Sequence, residues 1–174
     1  MAAALMDKFT EARANGGVGD NGTRQVLTFS LGGEVYGVDI LRVKEIRGWS
    51  PVTKIPQSPP HMLGVLNLRG AIVPIVDLRL RFELESAEYS PLTVVIVLSL
   101  RTGEGVRECG IVVDGVSDVV DIPLDSIKES PAVGAEARSR FIRGLANVDD
   151  QMLILLDAEE LVAKEAAPDI SVAA

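Results

Sequence analysis

The chain has 174 residues, 47% of them hydrophobic and 24% charged, which is enough for one globular domain with a sizeable core. Its 17 Lys and Arg against 25 Asp and Glu leave a net charge of −8, which argues against binding to a nucleic-acid backbone. The single cysteine, Cys109, excludes an internal disulfide bond, and the single histidine, His61, excludes the two-histidine metal motifs. No apolar run reaches the roughly 18 residues of a membrane span. The N-terminus also lacks a signal-peptide pattern, so we expect a cytoplasmic protein without membrane insertion.

Charge is unevenly distributed along the chain. Residues 24–82 carry eight cations and four anions, whereas residues 83–174 carry seven cations and eighteen anions. A basic half followed by an acidic half predicts a dipolar molecule. The alternative is a chance distribution of charges over a solvated surface.

Residues 1–23 are predicted to form a flexible leader ahead of the folded domain. Residues 2–14 have a helical composition, and the glycine-rich segment 15–22 is expected to be a flexible loop. Residues 17–22 also match the letters of the dinucleotide-binding fingerprint G-x-G-x-x-G. That fingerprint needs a strand before it and a helix after it, and the order here is reversed, so a linker is predicted.

Short apolar runs separated by turn residues predict strands through most of the remaining chain. The runs 25–31 and 34–40 flank Gly32-Gly33, a pair that suits a two-residue hairpin turn. The runs 93–100 and 107–113 repeat the pattern around a second glycine-containing turn.

Two aspartates that follow apolar runs are predicted helix caps. Asp157 has Glu160 at the capping-box spacing, and the helix after it is expected to end before Pro168. Residues 168–174 then form a C-terminal tail. Asp77 occupies the matching place earlier in the chain and is predicted to cap a shorter turn.

An internal repeat is the most informative feature of the sequence. Two pairs of segments align, 37–40 with 110–113 at an offset of 73, and 64–68 with 144–148 at an offset of 80. Each repeat, roughly 24–82 and 93–165, is a string of short strands with the size of one small barrel. Two packed barrels are predicted, because each alone would have a marginal core. A single eight- or ten-stranded sandwich is the structural alternative.

The polar cluster with the most distinctive setting is Asn67-Leu68-Arg69-Gly70, a predicted hairpin tip between two apolar runs. The second repeat has Asp149-Asp150 at the corresponding tip, so the turn is kept while its charge is inverted. Arg69 is therefore either an exposed turn cation or a partner-contacting arginine, a residue type enriched at interfaces.

Other candidate groups have less specific settings. Asp114, Asp118 and Asp121 form the densest carboxylate group and could serve general acid–base chemistry, but turn and edge-strand roles are the simpler explanation. Cys109 lies in an apolar run and is predicted to be a core residue, whereas His61 lies in a predicted loop. A thiol–imidazole dyad would require the two to converge.

Several segments together resemble the CheW family of bacterial chemotaxis coupling proteins. The resemblance extends from about Arg24 to Lys164, and its most specific part is the Asn-Leu-Arg-Gly hairpin with the Pro and Asp that follow. The matching segments are 34–40, 43–48, 64–79 and 112–119. The resemblance implies a mainly β fold of two packed five-stranded SH3-like barrels within residues 24–167, with a C-terminal helix. The 23-residue leader and the acidic stretch 83–88 depart from the family pattern.

The resemblance also implies a function and a set of contact residues. Members of the family are non-catalytic adaptors without a cofactor that join the histidine kinase CheA to the cytoplasmic hairpin tip of chemoreceptors. The kinase carries a homologous regulatory domain that alternates with the adaptor in rings. Matched residue by residue, the implied kinase or receptor contacts are Val43, Glu45, Gly64, Arg69, Gly70 and Val94. We therefore expect a cytoplasmic adaptor that is recruited to membrane receptor arrays.

Two other interpretations compete with the adaptor. An acidic β-barrel enzyme would hold Asp114 and Asp118 in one pocket with perturbed pKa values. A module of a larger signalling protein would need room for a kinase or receiver domain, and we expect a free-standing adaptor instead.

Overall fold

The computed structural model describes residues 3–14, 16, 22–84, 88–103, 105–129 and 140–165. Most of these residues lie in strands. The strands are β1 (Thr23–Leu31), β2 (Glu34–Asp39), β3 (Val43–Gly48), β4 (Met62–Leu68), β5 (Ala71–Asp77), β6 (Val94–Thr102), β7 (Gly105–Val113), β8 (Gly115–Pro123), β9 (Ile142–Val148) and β10 (Gln151–Leu156). The helices are α1 (Ala3–Ala14), α2 (Leu78–Arg81) and α3 (Ala158–Glu165). The predictions of a mainly β fold and of a C-terminal helix are confirmed.

Three features of the sequence analysis fall wholly or partly outside the described residues. They are the fingerprint-like segment 17–22, the acidic stretch 83–88 and the tail 168–174.

The strands form two five-stranded sheets that the internal repeat relates to each other. Sheet 1 has the order β8-β1-β2-β10-β9, and sheet 2 has the order β3-β6-β7-β5-β4. The two orders are equivalent, because corresponding strands of the two repeats occupy the same place in each sheet. Each sheet combines two strands of one repeat with three of the other. The prediction of two five-stranded units is confirmed. The units are not closed barrels, since the first and last strands of each order are not paired among the described residues.

A glycine at the same place in each repeat makes room for side chains of the neighbouring strands. Gly37 on β2 pairs with Leu155 on β10, and Gly110 on β7 pairs with Ile75 on β5. A Cβ atom on Gly37 would lie 2.5 Å from Cγ1 of Val26, and one on Gly110 would lie 2.6 Å from Cδ1 of Ile75. Any larger residue at either position would push a neighbouring side chain out of place, which is why the two repeats align at these glycines.

The local turn and cap predictions are confirmed. Gly32 and Gly33 join β1 to β2 with φ of +60° and +84°, the left-handed conformation that a two-residue hairpin turn requires. The Asp157 Oδ1 atom accepts a hydrogen bond of 3.1 Å from the Glu160 backbone N–H at the start of α3. Asp77 likewise accepts a hydrogen bond from the backbone N–H of Arg79 at the start of α2.

The core consists of three apolar clusters, one shared by the two sheets and one within each sheet. The largest lies between the sheets and includes Leu27, Phe29, Tyr36, Ile96, Leu98, Ile111 and the α3 residues Leu161 and Val162. Each sheet also encloses a cluster of its own, built on Val26, Ile122, Ala146, Leu153 and Leu155 in sheet 1 and on Val73, Ile75, Val95, Val97 and Val112 in sheet 2. Because successive residues of a strand point to opposite faces, β6 supplies both the shared cluster and the cluster of sheet 2. This explains why its sequence is an unbroken apolar run.

The exchange of strands changes the interpretation of the uneven charge. Sheet 1 takes β1 and β2 from the basic half of the chain and β8, β9 and β10 from the acidic half, and sheet 2 mixes the halves in the same way. The two halves of the chain therefore do not correspond to the two sheets, and the dipolar molecule stays a prediction. Opposite charge is present at the two hairpin tips described below.

The leader contributes a helix, as its composition predicts. In α1, the side chains of Leu5, Phe9 and Ala12 are buried. Phe9 and Ala12 belong to the cluster that lies between the sheets. This part of the leader is therefore packed against the folded domain.

Candidate functional site

All six residues that the sequence analysis singled out lie on sheet 2. Val43 and Glu45 are on β3, Gly64 is on β4, Arg69 and Gly70 form the β4–β5 turn, and Val94 begins β6. Because β3 and β4 are the first and last strands of sheet 2, hydrogen bonding between strands does not by itself bring the β3 residues next to the β4–β5 turn.

The β4–β5 turn presents Arg69 to solvent. Arg69 and Gly70 have φ of +53° and +88°, and the Gly70 backbone N–H donates a hydrogen bond of 2.9 Å to the Asn67 Oδ1 atom. A glycine at the second turn position and an asparagine just before the turn favour this geometry. The Arg69 side chain is 80% exposed, so the turn holds a cation away from the surface of the sheet.

Arg69 reaches across the open edge of sheet 2 to β3. Its Nη2 atom lies 3.6 Å from Oε2 of Glu45, and Nη1 of Arg47 lies 3.7 Å from Oε1 of the same carboxylate. The contact shows that sheet 2 curls until its first strand and the tip of its last hairpin meet. Such exposed ion pairs contribute little to stability, about 0–1 kcal/mol. Glu45, Arg69 and Gly70 thus form one polar surface, which we call the Arg69 surface.

The structure places Val43 and Val94 elsewhere. Val43 is 1% exposed and Val94 is 6% exposed, and both belong to the cluster between the sheets. In this chain alone, neither side chain is part of the Arg69 surface. Val43 lies two residues before Glu45 on β3, and the pairing of β3 with β6 shifts register between the two residues.

Gly64 has a backbone role. It has φ of +152°, and a Cβ atom there would collide with the carbonyl oxygen of Thr53. Thr53 belongs to the segment before β4 and forms an isolated β-bridge with Val65. In the second repeat, a Cβ on Gly144 would lie 2.7 Å from the carbonyl oxygen of Lys128. The same close approach of a flanking segment thus occurs in both sheets.

Replacing Gly64 with Ala is expected to lower the free energy of unfolding by about 1–3 kcal/mol, because strained φ values and backbone collisions cost that much. Chemical denaturation of the purified variant measures the loss. Gly103→Ala is the matched control, since a Cβ there meets nothing within 4 Å, and it should change stability by less than about 0.5 kcal/mol. Equal effects of the two substitutions would contradict a backbone role for Gly64.

The β9–β10 turn is the counterpart of the Arg69 turn, with opposite charge. Asp149 and Asp150 have φ of +51° and +62°, so the backbone follows the same left-handed course as in the β4–β5 turn. Beside each turn stands an exposed apolar side chain, Ile72 at 60% and Met152 at 53% exposure. The sequence analysis missed both, although the repeat offset of 80 aligns them and would have revealed the pair.

Arg79 forms a buried polar network that sequence reasoning also missed. Its side chain is 2% exposed and donates from Nε and Nη2 to the two carboxylate oxygens of Asp77, each at 2.9 Å. The Nη1 atom donates to the Glu88 carbonyl oxygen at 2.8 Å and to Asp114 at 3.1 Å. Asp114 in turn accepts a hydrogen bond from the Gly32 backbone N–H, so the network links sheet 2 to the β1–β2 turn of sheet 1.

Aromatic side chains cover this network. The Arg79 guanidinium lies 5.0 Å from the ring centre of Tyr89, which stacks on Trp49 with ring centres 4.4 Å apart. The Tyr89 hydroxyl donates to Asp77 at 3.3 Å. Burial, together with the negative charge and hydrogen bonding of Asp77, raises the pKa of Tyr89. Burial by itself would lower the pKa of Arg79, but its bonds to Asp77 and Asp114 outweigh this and raise it.

The two carboxylates of the enzyme hypothesis have separate structural partners. Asp114 pairs with Arg79, and Asp118 pairs with Lys8 at 2.9 Å. Burial alone would raise the pKa of Asp118, but hydrogen bonds from Lys8 and the Val119 backbone N–H, with the charge of Lys8, lower it. Turn and edge-strand roles therefore account for both aspartates.

Cys109 and His61 have the positions expected of structural residues. Cys109 is buried in the cluster between the sheets. His61 is half-buried just before β4, where its carbonyl oxygen accepts a hydrogen bond of 2.8 Å from the Asp77 backbone N–H. Within the described ranges, no group of three or more His, Cys, Asp or Glu is placed to hold a metal ion. No helix in the same part of the chain is long and apolar enough to cross a membrane.

The two five-stranded sheets define the class as a two-sheet β protein. An exposed arginine at a hairpin tip beside an exposed apolar side chain has the composition that is typical of protein interfaces.

Comparison with known proteins identifies the family. Residues 25–166 match the model of the CheW-like domain. The chain is 44% identical over 147 residues to the chemotaxis protein CheW of Klebsiella aerogenes, covering 84% of this chain and 86% of that protein. It is 37% identical over 142 residues to a probable chemotaxis protein CheW of Rhizobium etli, covering 82% and 89%. The solved scaffolding protein TtCheW of Thermoanaerobacter tengcongensis superposes with a TM-score of 0.70 at 34% identity, covering 77% and 88%. The chain belongs to the CheW family, and the predicted resemblance is confirmed.

Proposed function

We propose that this chemotaxis adaptor couples methyl-accepting chemoreceptors to the histidine kinase CheA and so permits receptor control of the kinase. The observation that carries the proposal is the exposed Arg69 turn, ion-paired with Glu45, in a chain whose residues 25–166 belong to the CheW family. The coupling itself requires no chemistry within the chain, which fits the description of the solved relative as a scaffolding protein.

The two hairpin tips support a directional contact with a homologous domain. One tip presents Arg69 beside exposed Ile72, and the other presents Asp149 and Asp150 beside exposed Met152. A partner built on the same fold, such as the regulatory domain of CheA, would offer tips of matching shape. Contacts between unlike ends close a ring or extend a lattice. The apolar side chains would supply affinity, and the opposite charges would select the pairing and raise the association rate.

The six family positions divide into two roles in this proposal. Glu45, Arg69 and Gly70 contact the kinase or the receptor directly, because they are on the surface. Val43, Gly64 and Val94 act by holding β3, β4 and β6 in place beneath that surface. Through its receptor contact the adaptor would be recruited to receptor arrays at the membrane.

Co-purification followed by mass measurement tests the proposal. The full chain is mixed with CheA and a receptor cytoplasmic fragment, and the mass of the complex is determined by light scattering. We expect a stable complex of all three, and the same mixture without this chain should give no kinase–receptor complex of comparable stability. If the chain binds neither partner, the coupling function is wrong.

A further inference from the structure

Helix α1 lies over the junction between the two sheets. It contacts β8 and the short 3₁₀ turn Ile40–Arg42, which leads directly into β3. Strands β3 and β8 are equivalent in the two repeats, and each is the first strand in the order of its sheet. Neither pairs with the other, so the two edges leave a groove that opens onto the cluster between the sheets, and α1 lies in that groove.

One face of α1 is apolar and buried. Leu5, Phe9 and Ala12 recur at helical spacing and are 8%, 5% and 1% exposed. Beneath them the same cluster includes Val43 and Ile46 of β3, with the partly buried Val119 of β8 packed against it. The groove is therefore apolar, and it has the width to accept an α-helix.

The polar contacts that hold α1 are exposed. Lys8 pairs with Asp118 at 2.9 Å, but the two side chains are 56% and 45% exposed. Arg13 donates to the Lys44 carbonyl oxygen at 2.7 Å, also at the surface. Exposed contacts of this kind add little to affinity. The helix is therefore held mainly by its apolar side chains, namely the buried Leu5, Phe9 and Ala12 and the partly buried Met6.

The contact also leaves a cleft between α1 and the edge of sheet 1. The cleft has a volume of about 240 Å³ and is lined by Lys8, Glu11, Ala12, Gln25, Val119 and Asp121. Helix α1 therefore does not fill this part of the groove.

The position of α1 in the chain separates it from the family domain. The family match begins at residue 25, so α1 lies outside it. Eight residues, 15–22, four of them glycine, connect α1 to β1. A segment of this length spans up to about 27 Å when extended. This reach would let the helix leave the groove while β1 stays in its sheet.

We propose that α1 is an intramolecular competitor: it fills a helix-binding groove between β3 and β8, and its release lets an apolar helix of the chemoreceptor tip bind there. The partner is a helix because the groove already holds one, and its face is apolar because the groove buries Leu5, Phe9 and Ala12. The inference rests on the proposed receptor-coupling function. When a site is free only part of the time, the apparent affinity falls by that fraction, so docking of α1 would set a threshold for receptor binding.

The test compares receptor binding by the full chain and by two α1 variants. Phe9→Ala removes the largest buried side chain of α1 and should lower the apparent Kd for a receptor cytoplasmic fragment by about tenfold. Lys8→Glu opposes Asp118 without altering the core, and should lower the same Kd by about two- to fivefold. Lys164→Glu, an equal charge change at an exposed residue of α3, is the matched control and should leave the Kd unchanged.

Hydrogen exchange of the wild-type chain supplies the second measurement. Saturation with the receptor fragment should reduce the protection of α1 amides while β1 and β8 stay protected. Unchanged or increased protection of α1 in the saturated complex would overturn the competitor role, as would variants that bind no better than wild type. In either case, wild-type binding to receptor and kinase would leave the coupling function intact. If the wild-type chain and both variants all fail to bind the receptor fragment, the coupling function and the competitor role are both wrong.

Discussion

Replacing Arg79 with Met is expected to lower the free energy of unfolding by about 3–5 kcal/mol, the cost of leaving a buried charge without its partner. Asp77 is fully buried and receives two hydrogen bonds from the Arg79 guanidinium. Methionine is a shorter, apolar side chain that donates no hydrogen bond, so the Asp77 carboxylate would stay buried without the charge of Arg79. Because small domains have total stabilities of about 5–15 kcal/mol, the loss should be plain in urea denaturation.

Two further variants distinguish the effect of losing the Asp77–Arg79 ion pair from the effect of losing the packing of the arginine side chain. Arg101→Met removes an exposed cation of β6 and should change stability by less than about 0.5 kcal/mol. The double variant Asp77→Asn with Arg79→Met removes both charges and should be more stable than Arg79→Met alone, since replacing a whole buried pair costs less than breaking it. A double variant that is no more stable than Arg79→Met alone would show that the pair is not coupled.

Replacing Arg69 with Glu is expected to abolish receptor-dependent kinase activation while leaving the fold intact. The Arg69 side chain is 80% exposed and its ion pair with Glu45 is long, so little stability depends on it. An acidic residue is already accommodated at the equivalent turn, where Asp149 has φ of +51° against +53° for Arg69. At an interface, the reversal would place like charges together, which costs several kcal/mol and weakens binding by tenfold or more.

A reconstituted mixture of receptor, kinase and adaptor provides the measurement. Kinase activity is followed with and without receptor, and binding of the variant to each partner is measured separately to show which contact is lost. Arg101→Glu makes the same charge change at another exposed position of sheet 2 and should activate the kinase normally. Full activation by Arg69→Glu would remove Arg69 from the interface. A loss of stability above about 1 kcal/mol would instead assign it a structural role.

Sequence patterns were sufficient wherever the structure depends on residues close together in the chain. The Gly32-Gly33 turn, the Asp77 and Asp157 caps and the strands that flank the glycine turns were predicted, because each depends on neighbours within a few residues. The internal repeat could also be found from the sequence, since a side chain at Gly37 or at Gly110 would collide with its neighbours and both positions therefore need glycine. The Arg69 turn was found for the same local reason.

Local sequence patterns did not predict which charged side chains are buried. Asp77 was predicted as a cap, yet it is also the buried partner of Arg79, which no local rule singled out. Its burial depends on Tyr89, Trp49 and Asp114, which arrive from distant parts of the chain. In the second repeat, the position equivalent to Arg79 is Glu159, which forms an exposed pair with Arg42. The repeat therefore offered no guide to the network.

The sequence by itself determined the class of this protein: short strands in two repeats, a capped C-terminal helix and a charged hairpin tip. These follow from the alternation of apolar residues, the turn glycines and the repeat offsets, which are properties of local segments. Only the tertiary structure decided that the repeats exchange strands, that sheet 2 curls to bring Arg69 to Glu45, and that α1 fills the groove between the sheets. Each depends on free energy gained when segments far apart in the chain bury apolar surface together, and local patterns do not specify which segments will meet.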